Sequence, residues 1–210
     1  MVYLTNSANN WLLPVGVFLP VAGIVVMLFI PKSEEQLHKL IALATALATA
    51  AIGVVTLATF DYDKAGTLQF YVNEPWIDAI RSRFIMGCDG MSLPLYILTM
   101  VITVLVIVYS WDHIPDPGNA KAFLILILIL QVGMAGTFVA QDLILFFVFF
   151  EVVLLPMYFM IGVWGGEQRR YASLKFFLFT LFGSAFMLLG FIALFFKSGA
   201  ATAPGGNFSI

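Results

Sequence analysis

The chain has 210 residues, of which 61% are hydrophobic and 10% are charged, and its formal net charge is −2. Soluble domains contain roughly 45–50% apolar and about 25% charged residues, so this composition excludes an ordinary soluble protein and indicates a membrane protein. A net charge this close to zero also gives no support for nucleic-acid binding.

Six apolar segments of 20 to 24 residues follow one another along the chain. They cover residues 11–30, 38–60, 91–111, 121–140, 143–164 and 173–196. Each is long enough to cross about 30 Å of hydrocarbon as a helix, and none shows the alternating polarity of a β-barrel strand. We predict an all-α polytopic transmembrane bundle, forming a single membrane domain over residues 1–210. No basic residue precedes the first segment, so we expect a retained span rather than a signal peptide.

Residues 61–90 form the longest connection, which we predict to be an ordered extramembrane loop. Its stretch LQFYVNEPWIDAI, residues 68–80, suits either a short strand or an interfacial segment. The residues GCDG at 87–90 predict a turn into the third span, with Ser92 capping the helix. Trp11, Trp111 and Trp164 fall at predicted span ends, where amphipathic rings prefer the headgroup level.

Lysine and arginine are distributed unevenly between the two sides of the predicted bundle. With the N-terminus outside, the inner side holds Lys32, Lys39, Lys121, Arg169, Arg170 and Lys175, and the outer side holds Lys64, Arg81, Arg83 and Lys197. When the long 61–90 loop is discounted, only Lys197 is left outside. We therefore predict that both termini lie outside.

The sequence offers no recognisable cofactor or metal site. Cys88 is the single cysteine and has no Cys or His neighbour at metal-ligand spacing. His38 and His113 fall at span ends, where interfacial roles are expected rather than metal ligation. No ligand set for a flavin, an iron–sulfur cluster or a haem is recognisable, so we expect no cofactor and no redox chemistry in this chain.

One ionisable residue, Glu151, lies inside the fifth segment, eight residues beyond Leu143. It therefore sits about 12 Å along a helix of about 33 Å, near the middle of the bilayer. A charge at that depth costs about 2.5–3.5 kcal/mol on insertion scales, so the side chain must face protein or water, find a partner, or carry a proton. We predict that Glu151 is a proton relay.

Other polar residues could line a hydrated path to this acid. They are Gln131 in the fourth span, Tyr158 at i+7 from Glu151, and Lys175, Thr180 and Ser184 in the sixth span. Each has a structural alternative, because amides and hydroxyls often bond between helices, tyrosine packs, and lysine anchors a helix at the interface. Pro156, five positions after Glu151, removes a helical hydrogen bond and predicts a kink beside the acid.

Longer motifs around Glu151 resemble a known family. The stretches FFVFFEVVLLPMYFMIGVWGG and RRYASLKFFLFTLFGSAFMLLG, with GCDGMSLP and QDLILFF, are similar to the proton-translocating antiporter-like subunits of respiratory complex I. The resemblance is greatest to the M subunits of bacterial NADH:quinone oxidoreductases. The L and N subunits and the multisubunit sodium/proton antiporters share the architecture and come second.

The resemblance implies a fold of about fourteen transmembrane helices, in which a glutamate on the fifth helix pairs with a lysine on the seventh. Glu151 matches that glutamate, and the lysine would lie beyond the six spans. We therefore expect an N-terminal part of a longer product, or a split version, with residues 197–210 as a shortened loop. The resemblance also implies a bacterial plasma membrane location and other membrane-arm subunits as partners.

The function implied is that of a membrane-arm subunit of a proton-pumping NADH:quinone oxidoreductase. Electron chemistry would then belong to other subunits. One alternative is a subunit of a multisubunit cation/proton antiporter. The other is a non-transporting membrane scaffold, in which Glu151 would only be hydrogen-bonded.

Overall fold

A computed structural model describes residues 9–114, 118–199 and 206–209. Within these residues the chain forms six α-helices: α1 (Leu12–Phe29), α2 (Glu35–Thr59), α3 (Ser92–Tyr109), α4 (Ala120–Val139), α5 (Leu143–Trp164) and α6 (Arg169–Lys197). A hairpin of two strands, β1 (Gln69–Ile77) and β2 (Ser82–Cys88), lies between α2 and α3. All six helices are long and apolar enough to cross a membrane, which confirms the predicted all-α bundle.

The predicted spans agree with the helices to within four residues at every end. The largest differences are at the starts of α2 and α6, which begin at Glu35 and Arg169. A helix can extend past the hydrocarbon into the headgroup region, where hydropathy no longer marks its limits. α5 runs without interruption through Pro156, and the kink expected there remains a prediction.

α4 is the central helix, because it packs against α1, α2, α3 and α5. Accordingly, 61% of the most apolar stretch of α4 is buried, whereas the corresponding stretch of α6 is only 6% buried. α6 packs on α5 and presents large apolar side chains, such as Phe179 and Phe182, outward. Such a surface is compatible with lipid, whose tails are as apolar as leucine.

The buried apolar side chains form two clusters at different heights in the bundle. The hairpin-side cluster, which includes residues of β1 and β2, contains Leu12, Leu13, Val17, Phe60, Phe70, Met86, Cys88, Leu93, Tyr96, Met100, Val132, Ala135, Val139, Ala140, Leu145 and Phe149. The far-side cluster contains Met27, Ala42, Ala46, Ile107, Ala120, Phe123, Leu124, Ile127 and Leu128. The apolar core is therefore divided partway along the helices.

The loop at residues 61–90 contains the antiparallel hairpin. Of the two structures expected for residues 68–80, a short strand is the one formed, over Gln69–Ile77. Gln69 pairs with Cys88 and Ile77 with Ser82, with register shifts on both sides of the central pairs. Pro75, at the second shift, cannot donate a ladder hydrogen bond. Phe70 also has a φ of 53°, in the left-handed region that residues other than glycine rarely adopt.

The turn at 87–90 leads into α3 as predicted, but the main capping side chain is Asp89 rather than Ser92. Asp89 Oδ1 accepts hydrogen bonds from the backbone N–H groups of Met91 (3.0 Å) and Ser92 (2.7 Å). Ser92 Oγ accepts one in return from the N–H of Asp89 (2.9 Å), which completes a capping box. Burial acts to raise the pKa of Asp89, but the bonds from Ser92 and Met91 together outweigh it and hold the pKa below its usual value.

At the end of the bundle opposite the hairpin, basic side chains of α2, α4 and α6 cap the ends of α3, α1 and α5. The bonds are Lys121 Nζ to the Ile30 carbonyl (2.8 Å), Lys39 Nζ to the Trp111 carbonyl (2.6 Å) and Arg169 Nη1 to the Val163 carbonyl (2.7 Å). The last carbonyls of a helix lack intrahelical donors, and the helix dipole attracts cations there. Three of the basic residues predicted on the inner side therefore also stabilise helix ends.

Candidate functional site

Asp142, immediately before α5, is fully buried and fixes the start of that helix. Its Oδ1 atom accepts hydrogen bonds from the backbone N–H groups of Ile144 (3.0 Å) and Leu145 (3.1 Å), which makes Asp142 the N-cap. Oδ1 also accepts from Ser82 Oγ (2.9 Å), and Oδ2 accepts from the N–H of Arg83 (3.2 Å). The first turn of α5 is therefore attached to β2.

A second contact joins the start of α5 to the end of α6. The backbone N–H of Leu143 donates to the carbonyl of Phe208 at 3.0 Å. The Phe208 ring stacks on that of Phe195, with ring centroids 4.2 Å apart. α5 is thus positioned from two directions at the hairpin side.

Glu151 is the ninth residue of α5, and its side chain is half-buried. Its Oε1 atom is buried without a hydrogen-bond partner in the described part of the chain. No ion pair to Glu151 within 4.0 Å occurs among the same residues. An unpaired buried carboxyl oxygen is costly, whereas the Asp142 carboxylate is saturated with hydrogen bonds. Glu151 is therefore poorly explained as a structural acid.

Two glycines of α4 bring it close to α5. A Cβ atom on Gly133 would lie 3.1 Å from the backbone nitrogen of Val153, and one on Gly136 would overlap the Phe149 ring. Glu151 lies two residues from both Val153 and Phe149, which is about 200° around the helix. The carboxyl group therefore lies on the side of α5 that faces away from α4.

Gln131 lies on the side of α4 that faces away from α5. It is 1% exposed and precedes Gly133 by two residues, so it is about 200° from the face of α4 that contacts α5. Both polar atoms of its side chain are buried, with no hydrogen-bond partner among the described residues. The structure does not bring Gln131 and Glu151 together.

Tyr158 and Lys175 lie at the α5–α6 side of the bundle. The Tyr158 ring packs against Phe177 of α6, with ring centroids 5.3 Å apart, and Tyr158 shares the Glu151 face at i+7. Lys175 is exposed, and its Nζ atom lies 5.7 Å from the centre of the Tyr171 ring. This cation–π contact is typical of an anchor near a helix end.

An apolar cavity of about 290 Å³ lies between α4, α5 and α6. It is lined by Met134, Thr137, Phe138, Phe150, Val153, Leu154, Phe176 and Thr180. The Thr180 hydroxyl donates to the carbonyl of Phe176 (2.6 Å), and the buried Ser184 hydroxyl donates to that of Leu181 (3.0 Å). The hydroxyl face of α6 is therefore bonded within its own helix.

Cys88 is fully buried at the end of β2. Burial raises the pKa of its thiol to about 11; the Ser92 hydrogen bond opposes this shift and the Asp89 carboxylate adds to it. The thiolate form that binds metals is therefore disfavoured. Within residues 9–114, 118–199 and 206–209, no group of three His, Cys, Asp or Glu side chains is placed to hold a metal ion.

Asp142 is the residue of this region that the sequence interpretation missed. An Asp directly before a long apolar run is a usual N-cap signal, so its role at α5 was readable. Its hydrogen bond to Ser82 could not be predicted from the sequence, because the two residues are 60 positions apart in the chain.

Six membrane-length helices and an acid inside the fifth define a polytopic helical membrane protein with an intramembrane carboxyl group. The chain belongs to the family described as NADH-ubiquinone oxidoreductase chain 4, amino terminus, whose model matches residues 15–137. A second family model, NADH:quinone oxidoreductase/Mrp antiporter, TM, matches residues 140–204. The resemblance found in the sequence is confirmed.

Curated relatives agree with this assignment. The chain is 40% identical over 181 residues to NADH-ubiquinone oxidoreductase chain 4 of Arabidopsis thaliana, and 35% identical over 192 residues to NADH-quinone oxidoreductase subunit M of Rhodobacter capsulatus. The alignments cover 86% and 90% of this chain but 36% of each relative, so the chain spans little more than a third of their length.

The fold also matches a solved structure. A chain of respiratory complex I from Thermus thermophilus with bound NADH is similar with a TM-score of 0.76 and 24% identity. The match covers 94% of this chain and 38% of that one. At this identity the likeness supports the fold alone.

Proposed function

We propose that the full-length protein is a membrane-arm subunit of a proton-pumping NADH:quinone oxidoreductase in a bacterial plasma membrane, and that Glu151 binds and releases the translocated proton. The observation that carries the proposal is the Oε1 atom of Glu151, buried and unpaired inside α5. The subunit M relatives support the choice of complex.

A structural role alone does not account for this acid. An apolar residue of similar size would avoid the cost of an unpaired carboxyl group inside the membrane. The side chain lies on the face of α5 that is turned away from α4, so a basic group of another helix could approach it from there. The resemblance implies such a group, a lysine on a later helix.

The proposed proton step follows from electrostatics. An ammonium group that moves close to Glu151 favours the carboxylate, so a proton leaves the oxygen. When the ammonium moves away, the neutral acid is favoured and a proton binds again. Tyr158 lies on the same side of α5 and is the best placed of the predicted path residues. Lys175, which is exposed near the start of α6, is a second candidate.

The partners in this proposal are the other membrane-arm subunits, the lipid bilayer and protons. The electron chemistry is assigned to other subunits of the complex, because no cofactor ligand set is recognisable in the sequence. Energy would reach Glu151 as a change in the electric field from the neighbouring lysine.

A second candidate function is that of a subunit of a multisubunit cation/proton antiporter. It is favoured by one observation, the family model over residues 140–204, which covers both kinds of protein. In that case the same acid would exchange its proton against a cation gradient.

One experiment distinguishes these functions. The full-length gene is deleted in the source organism and complemented, and inverted membrane vesicles are assayed for NADH oxidation by quinone and for proton uptake. We expect NADH-driven proton uptake that disappears with the deletion and returns with the gene. Unchanged NADH-driven uptake, together with loss of sodium- or potassium-driven proton exchange, would establish the antiporter instead.

A further inference from the structure

Three buried polar side chains lie at the height that separates the hairpin-side cluster from the far-side cluster. Thr49 of α2 is 0% exposed, Thr103 of α3 is 3% exposed, and Gln131 of α4 is 1% exposed. None of them belongs to the hairpin-side or the far-side cluster.

A close contact between α2 and α3 fixes the relative height of the two threonines. A Cβ atom on Gly53 of α2 would lie 2.6 Å from Met100 Sδ of α3, so the helices touch there. Thr49 precedes Gly53 by four residues, and Thr103 follows Met100 by three. Because the hairpin joins the end of α2 to the start of α3, the two helices run in opposite directions. Both threonines therefore lie one turn from this contact, towards the far side.

The neighbours of Gln131 place it at the same height on α4. Four residues after Gln131 comes Ala135, a member of the hairpin-side cluster, and three residues before it comes Leu128 of the far-side cluster. On α2 and α3 the next turn towards the far side carries Ala46 and Ile107, both in the far-side cluster. The three polar residues thus occupy one layer between the clusters.

Some hydrogen-bonding atoms of this layer have no partner among the described residues. Thr49 Oγ1 donates to the carbonyl of Thr45 (2.8 Å), and Thr103 Oγ1 donates to that of Thr99 (2.8 Å), which leaves the lone pairs of both hydroxyls as acceptors. The amide Nε2 and Oε1 atoms of Gln131 have no partner among the described residues. An amide so placed needs both an acceptor and a donor.

We propose that Gln131, Thr49 and Thr103 form an internal water-binding site across the middle of the α2–α4 part of the bundle. Water fits this chemistry because it can donate to the threonine oxygens and to Gln131 Oε1, and accept from Gln131 Nε2. The site contains no ionisable side chain among these three residues and lies on the side of α4 away from Glu151. It is therefore distinct from the proposed proton site, and its role is to fix the register of three helices.

The direct test is a cryo-EM map of the full-length protein, in its native complex, at a resolution that shows ordered water. We expect density at about 2.7–3.2 Å from a polar atom of Gln131 and from the hydroxyl of Thr49 or Thr103. The Gln131→Leu variant should lose that density. Absence of density, a direct bond from Gln131 to a protein group, or density that persists in the variant would overturn the proposal.

Thermal unfolding of the same purified protein gives an independent test. If water joins the residues, Thr103→Val and Gln131→Leu should be coupled, so the double variant lowers the Tm by less than the sum of the single shifts. Thr56→Val is the matched control, because Thr56 is equally buried in α2 and makes the same kind of intrahelical bond, to Ile52 (2.9 Å), outside the layer. Additive shifts for both threonines would contradict a shared water site.

Discussion

Asp142 and Glu151 stand nine residues apart at the start and in the body of α5, and their surroundings give them different properties. Asp142 is fully buried, and its two oxygens accept four hydrogen bonds. Oε1 of Glu151 is buried and accepts none from the described residues. A saturated carboxylate holds structure in place, while an unsaturated one at mid-membrane depth is a candidate for proton exchange.

At the same scale, Cys88 allows a test by chemical modification. Alkylation requires the thiolate, and burial raises the pKa of this thiol to about 11. At pH 8 we expect iodoacetamide to modify Cys88 at least about 100-fold more slowly than an exposed cysteine. The comparison is an Asp63→Cys variant in a Cys88→Ser background, with modification measured by mass spectrometry of the peptides. Equal rates at the two positions would contradict the burial of Cys88.

The raised pKa of Cys88 also makes stability depend on pH. The folded protein keeps the thiol proton up to higher pH than the unfolded chain, in which the ordinary value is 9.0. The stabilisation that comes from the buried, protonated thiol is therefore fully present below about pH 9, and it is lost as the pH rises towards 11. A Cys88→Ser variant should lack this loss.

At the scale of the element, α5 is held at both ends. Asp142 attaches its first turn to β2, and at the other end Trp164 Nε1 donates to the carbonyl of Gly118 at 2.9 Å. Arg169 caps the carbonyl of Val163 beside it. The height of Glu151 in the bundle is therefore set by contacts with three other parts of the chain.

Removing the first of these contacts should destabilise the protein. Asp142→Ala deletes a helix cap and two bonds to β2, for which we expect a loss of about 2–4 kcal/mol and a lower Tm in thermal unfolding. Asp142→Asn retains one acceptor oxygen and should lose less. Asp63→Ala, in the exposed turn before the hairpin, is the control and should change the Tm little. A Tm for Asp142→Ala equal to that of the control would show that the cap is dispensable.

At the scale of the whole molecule, the two ends of the bundle differ in chemistry. The hairpin, the start of α5 and residues 206–209 meet at one end, and the basic residues that cap helices lie at the other. Positive charge close to span ends favours the cytoplasmic side. The hairpin end is therefore expected outside.

Cysteine labelling tests this orientation. In the full-length protein with Cys88→Ser, we expect an impermeable maleimide to label Asp63→Cys in intact cells. Glu167→Cys, in the exposed turn between α5 and α6, should react only after the cells are made permeable. Labelling in the reverse order would show the opposite orientation.

How much the sequence could predict depended on the range of the interactions. The six helices were predictable because long apolar runs and the cost of unpaired backbone groups in lipid leave few alternatives. Strand β2 and its pairing were not, since its short mixed run carries a weak local signal. The separation of Gln131 from Glu151 also escaped prediction, because it depends on how Gly133 and Gly136 turn α4 against α5.

The central claim is that an ionisable group at position 151 carries the proton, and proton transport by variants of the full-length protein tests it most directly. Glu151→Gln keeps the shape but cannot ionise, so we expect transport to fall at least about tenfold while assembly is kept. Glu151→Asp should retain measurable transport, and the exposed Glu167→Gln should transport like the wild type. Wild-type proton transport by Glu151→Gln would contradict the account.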